Sequence, residues 1–554
     1  MSTNIQIGLG AQAAQAAVGA LCLVVAGCST RHYRQSADNE VFATLQQRSW
    51  QVENMPAEFS IEQTNQLTFE GLSRAGDPEA FLGGEGESER GAWVLGLDRG
   101  LEIAVQHSRV YQNTKEQLYL AALGLTLTRH QFAPLFAAGG TAVVRGDSIS
   151  EDPSFQGSGR VNVDWLLRDI GRLSADLTAD FTRLFTHGPG SLSSSRLGMR
   201  ISRPLLRNAG FLQETEGLTQ AERNLLYQVR DFVRFRKDFS VQIATEYYRV
   251  LGQRDAARNA YMNLEGSRQT AARTRALARE GRATQSDLGR LEQQELSAES
   301  AWIAAARSYR RSLDDLKLRL GVPVETALVL DDRELAALTI QHPELPVDDA
   351  IRLALEARLD YQNLRDSYDD AVRQIGLAQE GLKTQVDLVA AGGLSGQPGT
   401  NQWEWPNAAN YDWSAGLVLD LPLDRKAERN AYRSALIGLE RAGRSVVQGQ
   451  DEIELEVRES WRSLEQARRN YEISEIGVRL AERRVEEQTV LAEIGRARAQ
   501  DQVDARNDLV DSRNQRTQAL VGHTIARLQF WNNIGILYIK DNGQWEERTD
   551  VARH

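Results

Sequence analysis

Only two cysteines occur in the 554 residues, Cys22 and Cys28, and both stand within the first thirty. The rest of the chain therefore has neither a disulfide framework nor a thiolate metal site. An excess of positive charge is also missing. Lys and Arg number 65 against 76 Asp and Glu, for a formal net charge of −11 and a pI near 5.4. That balance argues against a nucleic-acid partner, whose phosphates would need a basic face to neutralise them. Beyond the N-terminus no run of eighteen apolar residues exists, and hence no membrane-spanning helix. Entry into a bilayer would have to use strands of a closed barrel, or a lipid anchor alone. The seven histidines (32, 107, 130, 187, 342, 523 and 554) are scattered and show no HExxH or paired-ligand spacing. With no GxSxG, Walker loop or dinucleotide fingerprint either, nothing points to an enzyme, a cofactor or a metal. Proline is scarce, at 12 residues, which leaves room for very long helices.

Repetition is what the chain does contain. "LDRGLEIAVQHSRVYQN" (97–113) aligns without a gap on "VDDAIRLALEARLDYQN" (347–363), and both end in Tyr-Gln-Asn. "LGMRISRPLL" (197–206) aligns on "AGLVLDLPLD" (415–424), setting Pro204 opposite Pro422. "REGRATQSDL" (279–288) and "EIGRARAQDQ" (493–502) bring Gly281 opposite Gly495. The offset falls from 250 at the first pair to 218 at the second, so the first copy carries 32 extra residues between them. Each repeated unit is a domain-sized half, far longer than a solenoid repeat.

Both halves predict the same series of elements. A helix comes first (98–123 and 347–381). Period-two segments follow: "GRLSADLTADFTRLF" (171–185), "LGMRISR" (197–203), "LKTQVDLVA" (382–390) and "DWSAGLVLDL" (412–421), as half-buried strands require. Pro204 and Pro422 fall where strand gives way to helix, since proline cannot continue a ladder. A very long helix comes next. Leu464, Tyr471, Val478 and Val485 recur every seven residues along the second one, a coiled-coil-like seam. After Gly281 and Gly495 the chain returns as another helix (284–321 and 498–537), so the repeated turn is the bend of a helical hairpin. The division predicted is 1–27, leader; 28–96, N-terminal extension; 97–322, first repeat (strands and insertion about 124–203, hairpin about 210–321); 347–537, second repeat (strands about 382–421, hairpin about 424–537); 538–554, tail. The insertion within 136–195 reads as an extended outer hairpin. Nothing can be assigned to 30–96 or 538–554.

The leader "AAVGALCLVVAGCST" (16–30) is an apolar stretch ending in small residues, too short to span as a helix. Val25-Ala26-Gly27-Cys28 resembles the lipobox of bacterial lipoproteins, which implies lipidation at Cys28, and Ser29 after it favours release to the outer membrane. Residues 1–15 depart from that pattern in having no Lys or Arg.

Four strands cannot close a barrel, and open edges are not tolerated in lipid. Three copies would supply about twelve strands, within the range of natural barrels. Here the chain resembles the TolC-type outer-membrane efflux proteins, in their lipoprotein branch, over roughly 97–537. The features that carry the resemblance are the duplicated halves, the junctions "SRPLLRNAG" and "LDLPLDRKAE", and the turns "GRATQSDL" and "GRARAQDQVD". It implies a mainly α fold with a small β part, forming on trimerisation a 12-stranded outer-membrane β-barrel continuous with a periplasmic α-helical barrel. It also implies a homotrimeric, non-catalytic exit duct for a tripartite efflux pump or a type I secretion system, working with a periplasmic adaptor and an inner-membrane transporter. The alternative from another class is a lipid-tethered periplasmic coiled-coil protein without a pore.

The resemblance further implies a gate at the hairpin tips. A ring of aspartates falls on Asp501 and Asp504, where clustered carboxylates would attract cations. A link between hairpins falls on Ser286 and Asp287, with Arg496 and Arg498 as partners in a shifted register. The tips around Gly281, Thr284 and Leu288, and around Gly495 and Gln502, are where the adaptor would dock. A plainer role stands beside these: Thr284-x-x-Asp287 and Asp501-x-x-Asp504 resemble capping boxes, and Gly281 and Gly495 suit left-handed helix ends.

Overall fold

The computed structural model describes residues 29–547 other than 57, 63–66, 77–78, 147–153, 168–169, 185–190, 397–398, 401–403 and 495. The leader, Cys28, Gly495 and the end of the tail lie outside the described residues. Two units emerge. One draws on the described part of Met1–Arg48, with Tyr119–Gln228 and Asp366–Arg444; the other on Ser49–Leu118, Val229–Arg365 and the described part of Ser445–His554.

In chain order the helices are α1 (Thr30–Ser49), α2 (Leu97–His107), α3 (Arg109–His130), α4 (Leu212–Arg279), α5 (Gln285–Leu320), α6 (Arg333–Ala336), α7 (Val347–Ala357), α8 (Leu359–Gly381), α9 (Lys426–Glu493) and α10 (Ala499–Ile534). The strands are β1 (Trp93–Leu95), β2 (Leu135–Arg145), β3 (Ser154–Leu167), β4 (Gly171–Leu184), β5 (Ser191–Pro204), β6 (Leu328–Leu330), β7 (Gln385–Ser395), β8 (Gly399–Thr400), β9 (Asn407–Asp420), β10 (Leu537–Ile539) and β11 (Trp545–Glu547).

The first unit holds an antiparallel sheet of order β2-β3-β4-β5-β7-β9, with β8 paired to β5. Pro204 closes β5, and Pro422 lies between β9 and α9, so both junctions stand where alternation gives way to helix. One strand pair per half holds for the second copy; the first has four strands, its insertion folding as β3 and β4 within the sheet. Next to the sheet in sequence, helix segments of this unit are tied by charge and aromatic contacts. Tyr119 Oη donates to Asp38 at 2.7 Å, and Glu222 accepts from both Arg48 (2.8 Å) and Arg129 (3.1 Å). Tyr227 Oη donates to Asp370 at 2.6 Å.

In the second unit the duplication shows in the joints. The uninterrupted helices expected at 98–123 and 347–381 are each broken, at Ser108 (ψ 126°) and Arg358 (ψ 122°), positions equivalent at an offset of 250. The cause is tertiary. The return helices α5 and α10 end at Gly321 (φ 79°) and Gly535 (φ 91°), both left-handed caps. A Cβ on Gly321 would lie 2.1 Å from the carbonyl oxygen of His107, and one on Gly535 would meet the Ala357 carbonyl at 3.4 Å. Each half thus seats the end of its hairpin against its own helix break. The extension from Ser49 onward and the described part of the tail belong to this core. Buried Arg254 pairs with buried Glu89 at 3.0 Å, and Tyr309 Oη donates to the same carboxylate at 2.8 Å. Arg236, also buried, donates to the carbonyls of Asn54 (2.6 Å) and Lys540 (3.1 Å), the latter in the β10–β11 hairpin.

Candidate functional site

Two features carry the functional question: the faces of the sheet, and the tips of the hairpins α4–α5 and α9–α10.

On the sheet, strand alternation and register act together. Residues Phe136, Val163, Ala175, Met199, Gly392 and Trp413 lie opposite one another in a row that crosses all six long strands. Two residues along, Ala138, Val161, Leu177, Leu197, Leu394 and Tyr411 form a second such row. Between them, on the other face, lie Ala137, Asn162, Asp176, Gly198, Gly393 and Asp412. Period two is preserved across every pairing in these rows, so across the middle of the sheet one face is apolar or small and the other polar or small. Toward the start of β5 the apolar face gives way to Ser193 and Ser195, both buried. The apolar face is uncovered: Phe136 is 79% exposed, Trp413 76%, Leu417 65% and Met199 53%. On the polar face Arg196 reaches over Gly393 to Asp412 at 2.7 Å, and a Cβ at Gly393 would come within 2.8 Å of that guanidinium. Among the described residues the outer edges of β2 and β9 pair with no strand, and in a six-strand meander these two run in opposite senses.

At the tip of α4–α5 the chain turns on a Schellman motif. Gly281 (φ 74°) donates to Ala278 O, and the Arg282 amide to Leu277 O at 2.8 Å. Thr284 caps α5: its hydroxyl accepts from the Asp287 amide (3.0 Å) and donates to the Asp287 carboxylate (2.6 Å). Leu288 is half-buried one turn on, while Ser286 is exposed. At the second tip the Arg496 amide donates to Leu491 O at 2.8 Å, the counterpart of the Arg282 bond at an offset of 214. Asp501 accepts from the Arg498 amide at 3.3 Å, satisfying one of the free donors at the start of α10; the arginine side chain has no acceptor to return the bond. Asp501 is exposed, Asp504 is half-buried and accepts from Gln500 at 2.8 Å, and Gln502 is half-buried.

The capping roles are in place at the first tip, whereas at the second the expected Asp501-x-x-Asp504 box is not formed. Asp501 caps from the third position of α10 with Arg498 before it, and Asp504 is bound by the Gln500 side chain instead. The hairpin link expected at Ser286 and Asp287 with Arg496 and Arg498 is not formed within the chain: the Asp287 carboxylate is taken by Thr284, and no ion pair joins it to either arginine among the described residues. The hairpins meet elsewhere. Ala271 of α4, Leu291 of α5 and Ala499 of α10 form a buried cluster, with Val503 against it. From there a polar seam runs along α10. Gln294 donates to Asn507 (2.9 Å), Asn259 to Asn514 (2.9 Å), and Thr517 to Asp255 (2.7 Å). Arg506 lies between, its guanidinium filling the space a side chain at Gly266 would need, and burial lowers its pKa. These residues carry no motif; only their helical spacing along α10, with Asn507 and Asn514 about two turns apart and Thr517 about one turn further, could have marked them.

No protein-family model matches the chain, and no curated sequence does. Solved structures do match it. The outer-membrane protein VceC of Vibrio cholerae aligns at a TM-score of 0.60 and 15% identity, covering 79% of this chain and 96% of that one. The outer-membrane channel CmeC of Campylobacter jejuni aligns at 0.60 and 11%, covering 90% and 97%. The outer-membrane channel OprN aligns at 0.58 and 14%, covering 79% and 89%. At such identities the likeness establishes a shared fold: this chain is built as those outer-membrane proteins are.

Proposed function

We propose that three copies of this chain assemble into an outer-membrane exit duct, serving a tripartite efflux pump or a type I secretion system. The observation that carries this reading is the sheet: a band of apolar residues left in the open across its six long strands, a polar face behind it and, among the described residues, an unpaired edge at each rim. In water such a face and such edges invite aggregation. In a bilayer the face is satisfied by hydrocarbon, while the edges must be closed. β9 of one copy meets β2 of the next in antiparallel sense, and repetition by cyclic symmetry closes the ring. The fold shared with outer-membrane channels supports the same conclusion.

In this assembly the tips of α4–α5 and α9–α10 lie in the periplasm. Asp501 and Asp504 from three copies form a carboxylate ring around the axis, attracting cations, while the Arg498 amide holds Asp501 and the Gln500 side chain holds Asp504. Asp287 finds Arg496 or Arg498 on a neighbouring copy. A periplasmic adaptor docks on the turns at 281–288 and 495–502, and an inner-membrane transporter supplies the energy. Cys28 bears the lipid that holds the N-terminus at the outer membrane.

The test is direct. Detergent-extracted protein should run as a trimer and conduct in planar bilayers, with conductance blocked by multivalent cations from the tip side and relieved in Asp501→Asn/Asp504→Asn. A monomer without conductance would favour a lipid-tethered coiled-coil protein.

A further inference from the structure

The sheet contains more strands than a duplicated pair supplies. β2 follows α3 as β7 follows α8, and β5 precedes α4 as β9 precedes α9, so these four are counterparts across the duplication. Among the described residues β3 and β4 have counterparts of no such length in the second half, where the two-residue β8 lies between β7 and β9.

A hairpin standing outside the membrane could be polar on both sides, because water would solvate either. These two strands are not. In β3, Phe155, Val161, Val163 and Trp165 share one face, while Gln156, Ser158, Arg160, Asn162 and Asp164 share the other. In β4, Leu173, Ala175, Leu177, Ala179 and Phe181 oppose Ser174, Asp176, Thr178, Asp180 and Thr182. The apolar sets meet in register: Val161 with Leu177, Val163 with Ala175, Trp165 with Leu173. They also continue the neighbours' apolar face, Phe136 with Val163 on one side and Leu177 with Leu197 on the other. β2 pairs with β3 along its whole length from Leu135 to Arg145, and β4 with β5 from Arg172 to Arg183, so the hairpin is held in the sheet on both flanks. Each strand has 14 residues, more than the roughly 9–11 that cross a bilayer when tilted.

We propose that β3 and β4 are wall strands, so that the barrel built from three copies has eighteen strands rather than twelve. This rests on the duct reading above and adds to it the size and lining of the outer mouth. With strands about 4.8 Å apart and tilted about 40°, eighteen close at a backbone diameter of about 36 Å, against about 24 Å for twelve. The ring enters the size class whose interior is an aqueous channel instead of a packed core. The added strands line it with charges of both signs, Arg160, Asp164, Asp176 and Asp180, giving a mouth suited to large hydrated cargo.

Cysteines introduced one at a time at Val161, Asn162, Leu177 and Thr178 test the assignment, with Leu197→Cys and Leu417→Cys as reference positions on shared strands. The only native cysteines are Cys22 and Cys28, and a nitroxide label in phosphatidylcholine vesicles is read for collision with oxygen and with a water-soluble nickel chelate. At Val161→Cys and Leu177→Cys the expected result is loss of nickel collisions and gain of oxygen collisions, with the reverse at Asn162→Cys and Thr178→Cys. Nickel access at all four sites, while the two reference positions stay in lipid, would overturn eighteen strands and leave the duct intact. Nickel access at the reference positions themselves would sink the duct reading first. Electron microscopy of the unmutated trimer gives an independent strand count: eighteen supports the proposal, and twelve with a hairpin outside the wall ends it.

Discussion

Placing an arginine at successive depths along β9 offers the sharpest test of what covers the sheet. Tyr411, Trp413, Ala415, Leu417 and Leu419 share the apolar face of this strand. From Tyr411 to Leu419 the strand runs about 27 Å, which at a tilt of about 40° is about 21 Å of height, close to the apolar band of about 25 Å around natural barrels. Ala415 falls at its middle. Ala415→Arg should then cost about 2–4 kcal/mol, and Leu419→Arg, about 10 Å nearer the interface, about 0–1 kcal/mol from the charge itself. At about 1.36 kcal/mol per decade, the central substitution lowers the folded-to-unfolded ratio by about 30- to 900-fold. Ser414→Arg, one residue away on the polar face, should change it little. Denaturant unfolding in phosphatidylcholine vesicles, followed by tryptophan fluorescence, gives the three values. A flat depth profile, or a Ser414→Arg cost equal to that of Ala415→Arg, would refute a lipid-facing surface.

Glu89→Ala should destabilise the second unit, but by less than the about 3–5 kcal/mol of a buried charge left alone, because Arg254 keeps Asp332 at 3.1 Å while Tyr309 loses its acceptor; a lowered denaturation midpoint of the helical signal measures it. Gly281→Ala should cost about 1–2 kcal/mol at the left-handed residue of the first tip, seen as faster hydrogen exchange at the Arg282 amide. Gln294→Ala with Asn507→Ala should loosen the seam between hairpins and raise the open probability in single-channel recordings; unchanged gating would show that the seam is only structural. Burial, with His342, Arg527 and Arg468 nearby, pulls the pKa of His523 from 6.5 down to about 4. Its unfolded form therefore binds the extra proton between those values, so stability is fully present above pH 6.5 and declines as pH falls toward 4. Thermal melts across that window should show the decline, and His523→Gln should flatten it.

Much of this was legible in the sequence, for reasons that differ by element. The alternation of β4 stands out because apolar and polar residues trade places at every step from Leu173 to Thr182, and that of β9 because Tyr411, Trp413, Ala415, Leu417 and Leu419 recur every second residue. β2, "LFAAGGTAVVR", hides its strand character because small apolar residues occupy both faces. Gly281, Thr284 and the proline junctions are local chemistry, set by dihedral angles and missing donors, and such features survive translation from sequence to structure. The breaks at Ser108 and Arg358 do not, since Gly321 and Gly535 impose them from more than 170 residues away. The seam through Asn259, Asn507 and Asn514 was hidden for a related reason: on a charged helix surface, an amide with a partner looks like any other. Of the aspartates read as a gate, Asp501 is visible as a cap in one chain, while the ring proposed for Asp501 and Asp504 would need three.

The extra length in the first copy entered as a hairpin, and parity explains why. Each strand carries the chain across the sheet, so a single added strand would deliver α4 to the opposite end of the strands from α9. A pair restores the direction of travel and leaves both helices on the same side. A wall of this kind can therefore grow by two strands in a copy and by six in a threefold ring, and by no smaller step, without rebuilding everything that follows it in the sequence.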